Sequence, residues 1–169
     1  MLHHELVAAP RAPEDRRLTD TPQHGRLGGV LNFLFGYDGR IGRLFYWLGL
    51  MAAWAVPALF ASIADRVVIG TGDIGRYVAF LVIVGTLIWM HSAVTVKRLH
   101  DHDKSAAWYL LYGVTPPSVF AVAILLYSKG IFALAWVLFV ASIAGLLWVL
   151  VELGLLRGTA GPNRYGPAT

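Results

Sequence analysis

Residues 131–153 read IFALAWVLFVASIAGLLWVLVEL, and Glu152 is the only charged residue among them. A helix rises about 1.5 Å per residue, so roughly 20 apolar residues cover the ~30 Å hydrocarbon core of a bilayer. Three more apolar stretches of similar length lie near 44–64, 76–96 and 106–127. Each must be helical, because lipid offers no hydrogen-bond partners to an open backbone. The sequence therefore predicts an all-α membrane protein with four transmembrane helices.

The composition fits a chain dissolved in lipid, since 57% of the residues are hydrophobic and only 14% are charged. A soluble domain carries far more charge. The chain has no cysteine, which excludes disulfides, thiolate nucleophiles and cysteine metal sites. The net charge is +4, and the basic residues that produce it flank the spans. The sequence shows no DNA-recognition helix and no basic run separate from the membrane. We therefore expect the lipid bilayer as partner and no nucleic acid.

Shorter segments are predicted around the spans. Residues 1–26 are rich in charge and proline and have no apolar run suited to a signal peptide, so they are expected to form a disordered cytoplasmic tail. Residues 27–43 are largely apolar but too short to cross, which predicts a segment lying in the membrane interface. The transmembrane domain then covers 44–157, and 158–169 form a C-terminal tail.

The distribution of positive charge predicts the orientation. Eleven of the 14 lysines and arginines lie before the first span, between the second and third, or after the fourth. Only Arg66, Arg76 and Lys129 lie on the opposite side. Short loops rich in lysine and arginine stay in the cytoplasm. Both termini and the central loop are therefore expected to be cytoplasmic.

Three polar motifs adjoin the span ends on this side: YDGRIGRLFYW at 37–47, KRLHDHDKS at 97–105 with Trp108, and GTAGPNRYG at 158–166. In this order and spacing they resemble the DUF805 family, small bacterial inner-membrane proteins of unknown function, over about residues 30–166. The resemblance implies a multi-pass protein of the bacterial inner membrane and adds no reaction. It also implies these family positions: Gly39, Arg40, Arg43, Trp47, Arg98, Leu99, His100, Asp101, Ser105, Trp108, Asn163, Arg164, Tyr165 and Gly166.

Seven residues of the motifs form a candidate ion-pair or anion-binding layer: Arg40, Arg43, Arg98, His100, Asp101, Asn163 and Arg164. Arginine presents a rigid fork that pairs with carboxylate or phosphate. In one interpretation Asp101 bridges several arginines and holds the cytoplasmic helix ends together. In the other, the arginines surround an anionic phospholipid headgroup. The sequence leaves both open, and we expect no cofactor or metal.

The run His100-Asp101-His102-Asp103 contains residue types that bind divalent ions. Alternation would place the two histidines on one side of an extended loop, but two ligands do not make a site. A His100–Asp101 general base beside Ser105 suggests an alternative function as a lipid-active enzyme. Adjacent residues rarely orient one another in that way, and Ser105 is equally well placed to cap the third helix. We therefore expect no catalytic residues.

Two ionisable residues lie inside the spans, His91 in the second and Glu152 in the fourth, at similar depth. Charges there are costly, so we expect a hydrogen-bonded polar pair, or a bond from Glu152 to a motif arginine. Pro116 and Pro117 are expected to kink or break the third span. Together these features suggest a second alternative, a small oligomeric transporter or channel.

The leading functional hypothesis is a non-enzymatic inner-membrane protein whose arginine-rich layer closes the bundle or binds anionic lipid. The small size of the chain, 169 residues, favours an accessory subunit of a larger membrane complex or a homo-oligomer. The transporter and the lipid-active enzyme are its alternatives.

Overall fold

The computed structural model describes residues 26–67 and 72–169. The predicted disordered tail therefore lies outside the described residues, apart from its last position. Regular structure in the described ranges is helical except for one isolated β-bridge. The α-helices are α1 (Arg26–Phe35), α2 (Arg43–Val67), α3 (Gly72–Asp101), α4 (Thr115–Ser128) and α5 (Phe132–Val149). A 3₁₀ turn (Ala106–Trp108) and a π-helical turn (Leu110–Val114) precede α4, and a second π-helical turn (Leu150–Leu155) follows α5.

Four helical segments are long and apolar enough to cross a membrane: Arg43–Ala64, Gly72–Asp101, Ala106–Ser128 and Phe132–Leu155. The predicted all-α architecture with four spans is thus confirmed. The second segment differs most from its predicted limits, because its helix continues through the polar motif to Asp101.

The end of α3 corrects the predicted extended loop at His100 and His102. Asp103 adopts a left-handed backbone conformation with φ of 56°. The Lys104 amide donates to the Leu99 carbonyl at 2.9 Å, and the Asp103 amide donates to the His100 carbonyl at 3.0 Å. These two bonds form a Schellman motif, which satisfies carbonyls that a helix end would otherwise leave open. His100 and Asp101 consequently lie on the last helical turn.

The spans form two antiparallel pairs, α2 with α3 and α4 with α5. Close approach of α2 to α3 requires a glycine, because a Cβ on Gly49 would lie 2.8 Å from Val94 Cγ1. The two pairs meet at one end of the bundle, where α2 and α3 contact the second π-helical turn. There Trp47 packs on Gly154 and donates to its carbonyl at 3.2 Å. We call this end, where the three sequence motifs meet, the motif end.

The third span is helical without a break from Ala106 to Ser128, which corrects the stronger form of the proline prediction. Pro116 and Pro117 lie in the first turn of α4. Proline is tolerated at this position of a helix despite its missing N–H group. At the end of the preceding π-helical turn, the Leu110 carbonyl accepts the backbone N–H of Thr115 and, at 2.8 Å, its Oγ1 hydroxyl. Ser142 on α5 donates to the Pro116 carbonyl at 2.8 Å. The chain is therefore helical on both sides of the prolines.

Helix α1 occupies part of the segment predicted to lie in the membrane interface. Its C-terminal end is held by Lys97 of α3, whose ammonium donates to the carbonyls of Asn32 at 2.6 Å and Phe33 at 2.8 Å. Trp89 also donates to the Phe35 carbonyl at 3.0 Å. A cation at a helix C-terminus compensates the open carbonyls and the helix dipole. These bonds fix α1 against α3.

We predict that the motif end faces the cytoplasm, and the absence of cysteine makes this directly measurable. Single-cysteine variants Lys129→Cys, between α4 and α5, and Ala168→Cys, near the C-terminus, both change exposed residues. In intact cells a membrane-impermeant maleimide should label Lys129→Cys only, and Ala168→Cys should react after permeabilisation. The unmodified chain, which has no cysteine, is the negative control for labelling. The opposite labelling pattern would show an inverted orientation.

Candidate functional site

Asp101 lies at the centre of the motif end with its side chain 2% exposed. Arg40, which precedes α2, donates to its Oδ1 from Nε at 3.1 Å and from Nη2 at 2.8 Å. Arg98, one turn earlier on α3, forms an ion pair with Oδ2. The carboxylate is therefore enclosed by two guanidinium groups. We call Arg40, Arg98 and Asp101 the Arg–Asp cluster.

The remaining donors of Arg98 bind backbone. Its Nε donates to the Leu153 carbonyl at 2.7 Å, and its Nη2 donates to the Leu156 carbonyl at 2.6 Å. Its Nη1 also reaches the Ile41 carbonyl at 3.4 Å. Carbonyls at the end of a helix lack partners within it, so Arg98 caps the fourth span from its position on the second. The side chain is fully buried.

Arg40 binds the C-terminal tail in the same manner. Its Nη1 donates to the Gly161 carbonyl at 2.9 Å and the Gly166 carbonyl at 3.3 Å. Its Nη2 donates to the carbonyl and the hydroxyl of Thr159, at 3.0 and 3.1 Å. The residues before α2 and after the fourth span are thereby tied together through one side chain.

The tail closes directly over Asp101. The Thr159 amide donates to the Asp101 carbonyl at 2.8 Å, and the Thr169 hydroxyl donates to Oδ1 at 2.9 Å. A Cβ on Gly158 would collide with the Asp101 carboxylate. Glycine is therefore required at 158, because the tail backbone lies where any side chain would displace the cluster.

His100 joins the tail rather than Asp101. Its ring stacks on Tyr165 with centroids 3.8 Å apart and planes 4° from parallel. Its Nδ1 lies 3.2 Å from the Gly39 carbonyl. Asn163 Nδ2 donates to the backbone carbonyl of His100 at 2.9 Å. On a helix, consecutive side chains point in different directions. The predicted His100–Asp101 general base is accordingly not formed.

Five of the seven predicted layer residues belong to one bonded group built on Asp101, His100 and the tail, and two lie outside it. Arg164 is 59% exposed and pairs with Asp103 at 3.1 Å. Arg43 is exposed and donates once, to the Leu155 carbonyl at 3.1 Å. Helix α2 begins only at Arg43, so Arg40 and Arg43 do not share a helical face. The five in the group are Arg40, Arg98, His100, Asp101 and Asn163.

The predicted pair of His91 and Glu152 does not form. Glu152 is ion-paired with Lys104 and accepts a hydrogen bond from Tyr112 at 2.5 Å. His91 Nδ1 instead lies 3.2 Å from the Tyr109 hydroxyl. Similar depth along two helices does not bring side chains together when they point to different neighbours. The transporter hypothesis combined these two residues with a broken third span; the residues have separate partners, and the span is helical from Ala106 to Ser128.

Lys104 and Tyr112 were missed by sequence reasoning although Lys104 lies within a motif. Burial disfavours the charge of Lys104, but its hydrogen bonds to Glu152 and Tyr112 outweigh burial and raise the pKa of the ammonium above its ordinary value. The signal that could have identified the pair is a lysine in a loop at the same end of the bundle as an acid inside a span.

His102 is the other titratable group next to the cluster. Its Nε2 is buried and makes no hydrogen bond within residues 26–67 and 72–169. Burial and then the positive charge of Arg98 lower the pKa of the imidazole below its ordinary value. Both effects favour the neutral imidazole, which avoids a third positive charge beside the two arginines.

These features define a class of protein: a polytopic α-helical membrane protein whose helix ends converge on a buried arginine–aspartate cluster. The family model described as "Protein of unknown function (DUF805)" matches residues 34–167, which include the whole cluster. The chain belongs to the DUF805 family.

Two relatives from Escherichia coli K12 show how far the similarity extends. The "Uncharacterized protein YiiR" is 34% identical over 143 residues, which cover 83% of this chain and 90% of YiiR. The "Inner membrane protein YhaI" is 31% identical over 85 residues, which cover 50% of this chain and 68% of YhaI. No solved structure matches the chain.

We predict that Asp101→Asn destabilises the protein by about 3–5 kcal/mol, because it leaves two buried arginines without a counter-charge. Asp103→Asn is the matched control two residues away, since its partner Arg164 is exposed and such pairs contribute about 0–1 kcal/mol. The free energy of unfolding is measured by SDS titration in mixed micelles. Equal losses for the two variants would contradict the assigned role of the cluster.

Proposed function

We propose that the protein is a non-enzymatic component of the bacterial inner membrane, in which the Arg–Asp cluster clamps the two helix pairs together at the motif end. The observation that carries the proposal is the use of the arginine donors. Arg40 and Arg98 direct theirs to Asp101 and to backbone carbonyls, with side chains no more than 2% exposed. Because these donors are already hydrogen-bonded within the protein, few remain to bind a substrate.

The groups that an enzyme would need are also engaged. The Asp101 carboxylate is ion-paired with two arginines, and His100 is stacked on Tyr165. A general base requires a free lone pair within reach of the substrate proton. The lipid-active enzyme is therefore the less favoured alternative.

A clamp of this kind supports the role of an accessory subunit. It fixes one end of the bundle and leaves large apolar side chains on the outer faces, among them Trp54, Trp136 and Trp148, each more than half exposed. Association of membrane helices depends on packing of such faces rather than on hydrophobic burial. The name of YhaI as an inner membrane protein supports the same location for this chain.

A second candidate function, recognition of anionic lipid, now rests on Arg43 alone among the arginines that were predicted to surround a headgroup. Arg40 and Arg98 are enclosed, whereas Arg43 is exposed at the start of the first span with a single hydrogen bond. Phe45, two residues further along α2, is exposed as well. An arginine and an aromatic residue at the membrane surface suit a phosphate headgroup and its boundary with the acyl chains.

Both candidates are tested by native mass spectrometry of the protein extracted in polymer-bounded native nanodiscs. We expect a partner chain retained in fixed stoichiometry. Acidic lipid retained by the wild type should be lost in Arg43→Gln but kept in Arg76→Gln, which changes an exposed arginine at the other end of the bundle.

A lone chain, without partner or selected lipid, would contradict the accessory and lipid-binding roles together. Retained lipid that is unaffected by Arg43→Gln would remove the second candidate alone.

A further inference from the structure

A cavity of about 320 Å³ lies between the two helix pairs, on the membrane side of the Arg–Asp cluster. Its wall combines residues of both pairs, including Tyr46 of α2, Thr95 of α3 and Leu146 of α5. It extends along α3 from Thr95 to Leu87, which at about 1.5 Å per residue is roughly 9 to 21 Å from Asp101. This is the depth of lipid acyl chains. The volume lies in the range of small-molecule sites.

One end of the cavity carries an unexplained polar group. Thr95 is 1% exposed, and its hydroxyl makes no hydrogen bond within the described part of the chain. Threonine in a helix ordinarily donates to the carbonyl four residues earlier, so this orientation forgoes an available bond. A buried hydroxyl without a partner costs about 1–3 kcal/mol. The Tyr46 side chain is close enough to interact with it but forms no hydrogen bond of normal geometry, and the paired His91 and Tyr109 line the same cavity.

The other side of the cavity is apolar and faces the membrane. Trp54 and Ile88 line it and are 62% and 58% exposed. Leu87 and Leu146 continue the apolar wall. A molecule that enters from the bilayer thus meets an apolar surface first and the hydroxyl groups at the inner end.

No carboxylate, ammonium or guanidinium group is among the described residues that line the cavity. An ion placed there would lose its hydration without gaining a counter-charge. A hydroxyl or carbonyl oxygen gains hydrogen bonds from Thr95 and Tyr46 at no such cost. The site therefore selects an uncharged head on an apolar tail.

We propose that this cavity binds an uncharged lipid, with its hydroxyl or carbonyl oxygen at Thr95 and Tyr46 and its chain directed past Trp54 into the bilayer. The inference goes beyond the clamp and the anionic-lipid roles. It places a second ligand class at membrane depth, separate from the exposed arginines.

The test uses the full chain in phosphatidylcholine nanodiscs and a long-chain alcohol that carries a diazirine next to its hydroxyl. Photolabelling should concentrate on peptides that contain Thr95 and Tyr109. Unlabelled alcohol should compete about tenfold better than the matched fatty acid at a pH where the acid is ionised, because the cavity offers no counter-charge.

Thr95→Val should weaken labelling about five-fold, the factor expected for one hydrogen bond, without lowering thermal stability. Tyr46→Phe provides a second variant with the same expected direction. Thr86→Val is the matched control, since Thr86 lies on the same helix, is half-buried outside this cavity and donates to the Val82 carbonyl. Its labelling should equal that of the wild type.

Label spread evenly over the lipid-facing helices would overturn the proposal. Equal competition by alcohol and fatty acid, or unchanged labelling in both Thr95→Val and Tyr46→Phe, would also overturn it. None of these results bears on the clamp, whose residues stay intact in all three variants.

Discussion

The charge of Asp101, held almost entirely away from water at the end of a membrane helix, is the constraint on which the rest of the structure depends. A buried carboxylate costs several kcal/mol unless it is paired and hydrogen-bonded. Arg98 arrives from the same helix, but Arg40 has to come from the segment before α2. The spare N–H groups of both arginines then bind the carbonyls of the fourth span and of the tail. One charge thereby fixes four separate parts of the chain.

This arrangement gives the two ends of the bundle different properties. Helices in lipid gain little from hydrophobic burial, so they associate through close packing and polar contacts. At the motif end both are present, in the Arg–Asp cluster and in the contact of Trp47 with Gly154. Further into the membrane, the two helix pairs enclose a cavity lined by Thr95, whose hydroxyl has no hydrogen-bond partner within residues 26–67 and 72–169.

Sequence reasoning found the architecture and the location of the site but not its detailed bonding. Span lengths and the three motifs suffice for four helices whose polar residues gather at one end. They do not show that Arg40 is buried while Arg43, three residues later, is exposed, since this depends on where α2 begins. The helical placement of His100 depended on a left-handed Asp103, a conformation that glycine would have signalled more clearly. Glu152 pairs with Lys104 rather than with His91. This could not be predicted, because depth in the membrane does not show in which direction around the helix axis a side chain points.

The most direct measurement of the central claim is a double-mutant cycle on Arg40 and Asp101. The free energies of unfolding of Arg40→Gln, Asp101→Asn and the double variant are compared with that of the wild type in the same mixed micelles. If the cluster is one bonded unit, the double variant is less destabilised than the sum of the singles, by about 1–3 kcal/mol. The exposed pair Arg164 and Asp103 should be additive to within about 0.5 kcal/mol. Additivity at Arg40 and Asp101 as well would contradict the account.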